Sequence, residues 1–408
     1  MRRASRRGRA AATALALGGV TAAALCAPGA AHASRGGDYG TADLRHDLAA
    51  VRRAAGGDAT VLARVDAPGG RVVRARIGTA TAGSAAPVPW DARFRVASTT
   101  KTFPSVVVLQ LAAERRLSLD DTVEHWLPGL VSGHGNDGRR ITVRDLLRQT
   151  SGLFDYVHDP EFQERLTGHF EEIRYDATPA ADLVAVALRH PPLFVPATDG
   201  PVRWAYSNTN YLLAQSIAEK ASGTGWRELV EHRLVARLGL RGTDVPGLDP
   251  FLTGPHASVY LSGPDGTRLD LTDHSLQHTG DSGVVSTAAD LDTFFRALAA
   301  GRVLPAEQWR QMRATVTRTD DPADVEEQPT GTYGLGLREI PLSCGGSYYT
   351  HEGHGLGVYT RPAVTEDGRR AVTVSITTRS ALPDLPTLNR ATGALVDHAL
   401  CAGAAGHD

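Results

Sequence analysis

The order of elements along the chain predicts a mixed α/β (α+β) fold: one sheet built from both ends of the chain, with an all-helical insertion between them. Three observations predict it. Segments alternating in the strand manner lie near the start, at Thr60–Val65 and Val72–Thr79, and again near the end, at Tyr333–Leu337, Val358–Arg361 and Ala371–Thr377. From Leu117 to Pro250 the pattern is mostly helical. A chain of 408 residues is also too long for one simple core. We therefore expect an α/β lobe from about 34–115 and 270–408, and a helical lobe over about 116–269. Catalytic groups should sit in the cleft where the lobes meet.

The first 33 residues carry five arginines and no acid. Ala10–Cys26 is then almost wholly apolar or small, and Ala31-His32-Ala33 fits the small-x-small rule of signal peptidase. This order is that of an export segment, too short and Gly-rich for a membrane span. The expectation is a secreted protein, cut after Ala33, with no stable membrane anchor. Ser5-Arg6-Arg7 leaves twin-arginine and general export both open, and Leu25 before Cys26 makes a poor lipobox. The cut takes the basic count from 43 to 38 against 45 acids, a net charge of about −7. Nucleic acid and anionic membranes attract positive fields, so neither is an expected partner. Two cysteines remain, Cys344 and Cys401. In an oxidising compartment an even pair suggests one disulfide, with two buried thiols as the alternative.

Arg45–Ala54 has a helical apolar face, and Gly69-Gly70 turns the first strand into the second. Phe94–Ala97 reads as a third short strand. A helix follows from Ser98 to about Arg116, with Pro104 early enough to distort it. Within the helical region, Thr142–Gln149 and Tyr211–Ala221 stand out. After the Gly263–Gly266 turn, Ser286 is the expected cap of a helix over Ala288–Leu298. The last helix runs from about Pro386 to Leu400.

Three patterns carry chemistry. In Ser98-Thr99-Thr100-Lys101 a hydroxyl and an amine lie three apart on one face of a helix start. Serine is a poor nucleophile until a base takes its proton, and a partly desolvated lysine is neutral enough to do so. Only two lysines exist beside 41 arginines, which makes one at this spacing informative. In Tyr206-Ser207-Asn208 an extended loop would turn a phenol and an amide the same way. In His351-Glu352-Gly353-His354 a glycine-bearing strand lets a substrate approach closely and could offer an N–H to an oxyanion. Each has a blander counterpart: a capping serine with a solvated lysine, a polar loop, a glycine-rich hairpin. Zinc at His351/His354 or His274/His278 lacks a third ligand or a zincin glutamate, so no metal is expected. Gly280-Asp281-Ser282-Gly283 echoes a chymotrypsin-like nucleophile loop but sits at a helix entry rather than in an all-β setting.

In this order the three patterns resemble the serine β-lactamase-like and penicillin-binding family, most closely the secreted D-alanyl-D-alanine carboxypeptidases of class C type. Leu146–Leu153 and Ser282–Leu291 also match, so the likeness covers most of the chain after residue 33. The resemblance implies an antiparallel sheet with helices on both faces and an acyl-serine mechanism without cofactor. Ser98 would be the nucleophile, with Lys101 and Tyr206 exchanging its proton. Asn208 would orient Lys101 and the substrate amide. His351 would take the place of the β-lactamase lysine, and the N–H groups of Ser98 and His354 would bind the oxyanion. It further implies a Cys344–Cys401 bridge and Arg338 as the holder of the substrate carboxylate. Glu352, Gly353 and His354 would line the substrate. The expected substrate is a peptidoglycan peptide or small acyl compound, with β-lactams as covalent ligands. Two departures stand out: Glu352 replaces the usual threonine and His354 a small hydroxyl residue. An ionised Glu352 would repel a carboxylate. The alternatives are an esterase, an amidase or aminopeptidase for D-residues, a β-lactamase, or a silent binding module.

Overall fold

The structure, a computed structural model, describes residues 39–196, 202–262, 267–316 and 332–402. The expected export segment, its cleavage point and the Gly263–Gly266 turn lie outside the described residues. Gly36–Asp408 forms one compact unit.

The sheet comprises β1 (Thr60–Asp66), β2 (Val72–Ile77), β3 (Thr332–Tyr333), β4 (Arg338–Pro341), β5 (Ser347–Thr350), β6 (Gly353–His354), β7 (Val358–Thr365) and β8 (Ala371–Thr377). Its order is β2-β1-β8-β7-β5-β4-β3, with β6 also paired to β7. Every pairing is antiparallel. The two ends of the chain join at β1 and β8, where Val61 lies opposite Ile376. β8 is buried along its whole length, as a strand covered on both faces must be.

Six helices carry the argument: α1 (Thr41–Ala54), α2 (Thr102–Ala113), α3 (Val143–Arg148), α4 (Thr209–Ser222), α5 (Ala288–Ala299) and α6 (Leu385–Cys401). α1 and α6 cover one face of the sheet. Leu44, Leu48, Leu395 and Val396 pack there on Val61, Ala63, Val374 and Ile376, the inward set of a period-two pattern. α2 and α5 lie on the other side, where Phe103 stacks on Phe294 with ring centroids 4.3 Å apart. α3 and α4 share that core through Leu146, Leu147, Leu213 and Ile217. Fully burying one such leucine contributes about 1.5–3 kcal/mol, so this cluster holds the helical insertion to the sheet.

Several boundaries differ from expectation, each for a local reason. Phe94–Arg95 pairs with Val285–Ser286 outside the main sheet. The cap of α5 is Thr287, which accepts from the Asp290 N–H, because Ser286 is still in a strand. Tyr333–Leu337 is not one strand. Gly336 at φ 70° lets the chain turn, and β3 folds back antiparallel on β4. Pro104 is tolerated because it falls in the first α turn, after a 3₁₀ start at Ala97–Lys101. β5, just before His351, goes beyond the expected strands, and β6 falls within the expected glycine-bearing strand. The expected disulfide is present: Cys344, after β4, is bonded to Cys401 at the end of α6.

Candidate active site

Ser98 opens the 3₁₀ turn that becomes α2, and the turn is pinned from both sides. Val96 N–H donates to Val284 O at 3.0 Å, and Val284 N–H donates to Thr100 Oγ1 at 3.1 Å. Thr99 Oγ1 donates to His351 O at 2.7 Å. Ala97, just before the nucleophile, holds φ 47°, a left-handed conformation sparsely used by alanine and kept only where surroundings enforce it. Gly353 explains how β6 comes so near: a Cβ there would lie 2.0 Å from Val96 O.

Lys101 is fully buried. Its Nζ donates to Asn208 Oδ1 at 2.6 Å and to Asp281 O at 2.9 Å, and lies 3.0 Å from Ser98 Oγ. The first two partners can only accept. A neutral amine would spend its two hydrogens on them and leave its lone pair for the Ser98 hydroxyl. Burial pushes the Lys101 amine down to about 8, against the pull of Asp281 and Asp155. This is the geometry that a base for Ser98 would need.

Tyr206 also shares a hydrogen bond with Ser98, and its ring lies 5.0 Å from Lys101 Nζ. Burial holds its phenol well above the ordinary value, with the Ser98 bond opposing. At neutral pH it is therefore a protonated phenol, suited to give a proton. The loop bearing it is fastened to Gln149, the left-handed C-cap of α3 at φ 66°. Gln149 O accepts from Ala205 N–H at 3.1 Å, and Gln149 Oε1 accepts from Ser207 N–H at 3.1 Å.

His351 is buried against the same site. Its Nδ1 faces Glu352 O at 2.9 Å, so Nδ1 must carry the hydrogen. Nε2 is then the acceptor and takes the Tyr333 hydroxyl, 2.9 Å away. Burial first, and Lys101 second, push the imidazole down to about 3. His351 is a neutral ring with both nitrogens committed, and brings no positive charge.

The structure thus brings Ser98, Lys101, Tyr206, Asn208 and His351 together. It separates from them three side chains expected on the substrate, and the reason is strand alternation. His351 and Gly353 face the nucleophile turn, so Glu352 and His354 face α6. Arg338 does too, since Ile340, two residues on, packs in the core under α1 and α6. There Glu352 Oε1 accepts from Arg338 at 2.8 Å and from Arg361 at 2.7 Å, all three side chains being buried. Arg361 is held in turn by Asn389 O and Thr392 Oγ1 of α6, each at 2.8 Å. Burial alone would raise the Glu352 carboxyl, but Arg338 and Arg361 outweigh it and keep it well below the usual range. His354 hydrogen-bonds Asn389 and packs on Tyr359, its ring pushed down to about 4 by burial. Arg338, Glu352 and His354 are thus corrected from substrate-lining side chains to the support of α6 on the sheet.

Four residues that touch this candidate set carry no role in the sequence reading. Asp155 Oδ2 accepts from Asn208 Nδ2 at 2.8 Å. Gln149 and Tyr333 hold the Tyr206 loop and His351. Asp281 supplies a carbonyl to Lys101, while its carboxylate accepts from Tyr156 Oη at 2.9 Å. In the sequence Asp281 stands out only as part of the chymotrypsin-like echo.

The sequence profile of the Beta-lactamase family matches residues 47–396. Penicillin-binding protein 4* of Bacillus subtilis (strain 168) is 28% identical over 244 residues, 52% of this chain and 46% of its own, so the chain spans about half the length of that relative. The crystal structure of a D-stereospecific amidohydrolase from Streptomyces sp. is 36% identical with a TM-score of 0.73, covering 84% of this chain and 97% of that one. The D-amino acid amidase of Ochrobactrum anthropi SV3, complexed with L-phenylalanine amide, shares the fold at 23% identity and TM-score 0.72, over 88% of this chain and 98% of its own.

Proposed function

Because the chain belongs to the β-lactamase family of serine hydrolases, we propose that it is acylated at Ser98 and acts as an amidohydrolase on amides or peptides of D-configured residues, without requiring a free carboxylate on the leaving side. One observation carries this choice over a carboxypeptidase: the cation expected to hold the substrate carboxylate, Arg338, is spent on Glu352 beneath α6, and His351 is neutral. The D-stereospecific amidohydrolase similar over most of the chain supports the same direction.

The geometry supports the following proposed steps. Lys101 Nζ takes the Ser98 proton as Oγ bonds to the scissile carbonyl carbon. The N–H groups of Ser98 and His354 are the proposed donors to the oxyanion. Tyr206 gives its proton to the departing nitrogen, the C–N bond breaks, and the ammonium of Lys101 restores the phenol. Water then attacks the ester with the same groups in reverse, releasing the acid and Ser98. Asn208 Nδ2 has a second hydrogen for the substrate amide. No cofactor enters. β-Lactams would acylate Ser98 by the same route.

The second reading, a D-alanyl-D-alanine carboxypeptidase acting on peptidoglycan peptides, is favoured by the Cys344–Cys401 bridge, which the resemblance ties to that branch. Such a bond persists in oxidising compartments, which supports placing the protein outside the cell. The test is release of ammonia from D-phenylalanine amide and from its L-enantiomer, beside Ser98→Ala. D-selective, serine-dependent release is expected. Absence of release, with a D-Ala-D-Ala peptide cleaved instead, would overturn the amidohydrolase reading in favour of the second.

A further inference from the structure

We infer that Asp155 is a positioning residue, which fixes the direction in which Lys101 presents its lone pair to Ser98. The inference rests on the acyl-serine reading but needs no particular substrate. An asparagine amide has two ends of nearly equal shape and opposite polarity, and only its neighbours decide which end points where. Around Asn208 the choice is forced. Its nitrogen meets Asp155 Oδ2, an oxygen that accepts, at 2.8 Å. Its oxygen is thereby turned to Lys101 Nζ at 2.6 Å. With Asn208 Oδ1 and Asp281 O both accepting, the remaining direction at Nζ is that of Ser98 Oγ, 3.0 Å away. A flipped amide would aim an N–H at Lys101 instead. The lone pair would bond the amide, and Ser98 would lose its base.

Asp155 is well made for this task. It is buried, and its other oxygen accepts from Val157 N–H at 3.2 Å, at the start of the 3₁₀ turn Tyr156–His158, which fixes the carboxylate plane. Burial raises its carboxyl, with His158, the hydrogen bonds from Asn208 and Val157, and Lys101 opposing; as a carboxylate it also acts through charge. The titratable groups around Lys101 are Asp155, Asp281, Tyr206, Tyr211 and His351. Those around Asp155 are Lys101, His158, Tyr156 and Tyr206. The carboxylates of Asp281 and Asp155 both face Lys101 and favour its protonated form. Removing the charge of Asp155 while keeping an acceptor should let Lys101 stay neutral to lower pH.

Two variants separate direction from charge. Asp155→Asn keeps an oxygen for Asn208 and removes the charge. Asp155→Leu removes both at similar volume. The readout is the rate of Ser98 acylation by p-nitrophenyl acetate against pH, with KM recorded and folding checked by thermal unfolding. For Asp155→Leu we expect kcat to fall on the order of a hundredfold with KM little changed, the scale of a misplaced general base. For Asp155→Asn we expect a loss nearer tenfold, with the acidic limb moved down by roughly half a pH unit or more. A lost turn cap alone would not move that limb. Should Asp155→Leu fail to fold, the Asp155→Asn limb decides. An unmoved limb, or Asp155→Leu within threefold of the unaltered protein, overturns the inference while leaving the acyl-serine reading intact. An unaltered protein that is never acylated overturns both.

Discussion

Two buried charge clusters lie on opposite sides of the segment His351–His354, and they are built on opposite rules. On the nucleophile side, the Lys101 amine is surrounded by neutral acceptors, with Asp155 and Asp281 acting at a remove. On the α6 side, the Glu352 carboxylate touches two guanidinium groups directly. The first cluster leaves its cation poised near 8, where a proton can come and go. The second locks its carboxylate in the charged form. Direct ion pairing fixes a charge, whereas burial among neutral acceptors makes it movable, and only a movable proton serves catalysis.

The comparison breaks most sharply at the nucleophile. Replacing Ser98 with Ala, or Lys101 with Ala, should lower acylation by p-nitrophenyl acetate by about 10³-fold or more while leaving the thermal midpoint near that of the unaltered protein. An adduct with labelled penicillin should vanish in Ser98→Ala. If either variant kept within tenfold of the original rate, the nucleophile side would be misassigned.

The second test reverses the pattern. Glu352→Ala leaves Arg338 and Arg361 buried around a missing anion, and breaking such a pair by removing one partner costs about 3–5 kcal/mol. Denaturant unfolding should show that loss, whereas kcat of the folded fraction should change little. A large fall in kcat with stability unchanged would return Glu352 to the substrate side. Losing the 57-residue Cys344–Cys401 link should be milder: reduction, or Cys344→Ser with Cys401→Ser, should lower stability by about 2–4 kcal/mol in the same assay.

The smallest effect is in pH. With Lys101 near 8 and acting in its neutral form, kcat/KM should fall as pH drops below about 8. His351, pushed down to about 3, should add no limb near 6.5. A limb there that disappears in His351→Gln would show that the imidazole titrates after all.

Much of this was legible in the sequence, and the limits have a physical cause. Ser98 and Lys101 could be paired because their spacing of three fits a helix face, and Tyr206 and Asn208 because they sit two apart in an extended loop. Such short-range periodicities need no knowledge of the fold. Period two also carried β1, β2, β7 and β8. What escaped was set by long-range contact. Glu352 looked like a substrate residue because its neighbours were, yet alternation along the strand turns it to α6, where Arg361 lies nine residues on. Asp155 lies outside every matched segment, and Gln149, although inside Leu146–Leu153, carries no chemical pattern of its own. They matter because α3 and the following turn bring them 53 and 58 residues, respectively, from their partners in the Tyr206 loop. Tyr333–Leu337 alternates well enough to pass for strand, and only the positive φ of Gly336, with Ser105 2.0 Å from a would-be Cβ, shows why the chain turns at a glycine there.

The most direct measurement is the ratio of kcat/KM for a diacyl-Lys-D-Ala-D-Ala peptide with a free carboxyl terminus to that for the same peptide as its C-terminal amide. With Arg338 committed to Glu352 and His351 neutral, the two should be cleaved at rates within about threefold of each other. A preference for the free acid on the order of a hundredfold, the scale of a charge-assisted hydrogen bond, would mean that a cation does meet the carboxylate, and would contradict the division of charge between the two faces of the strand.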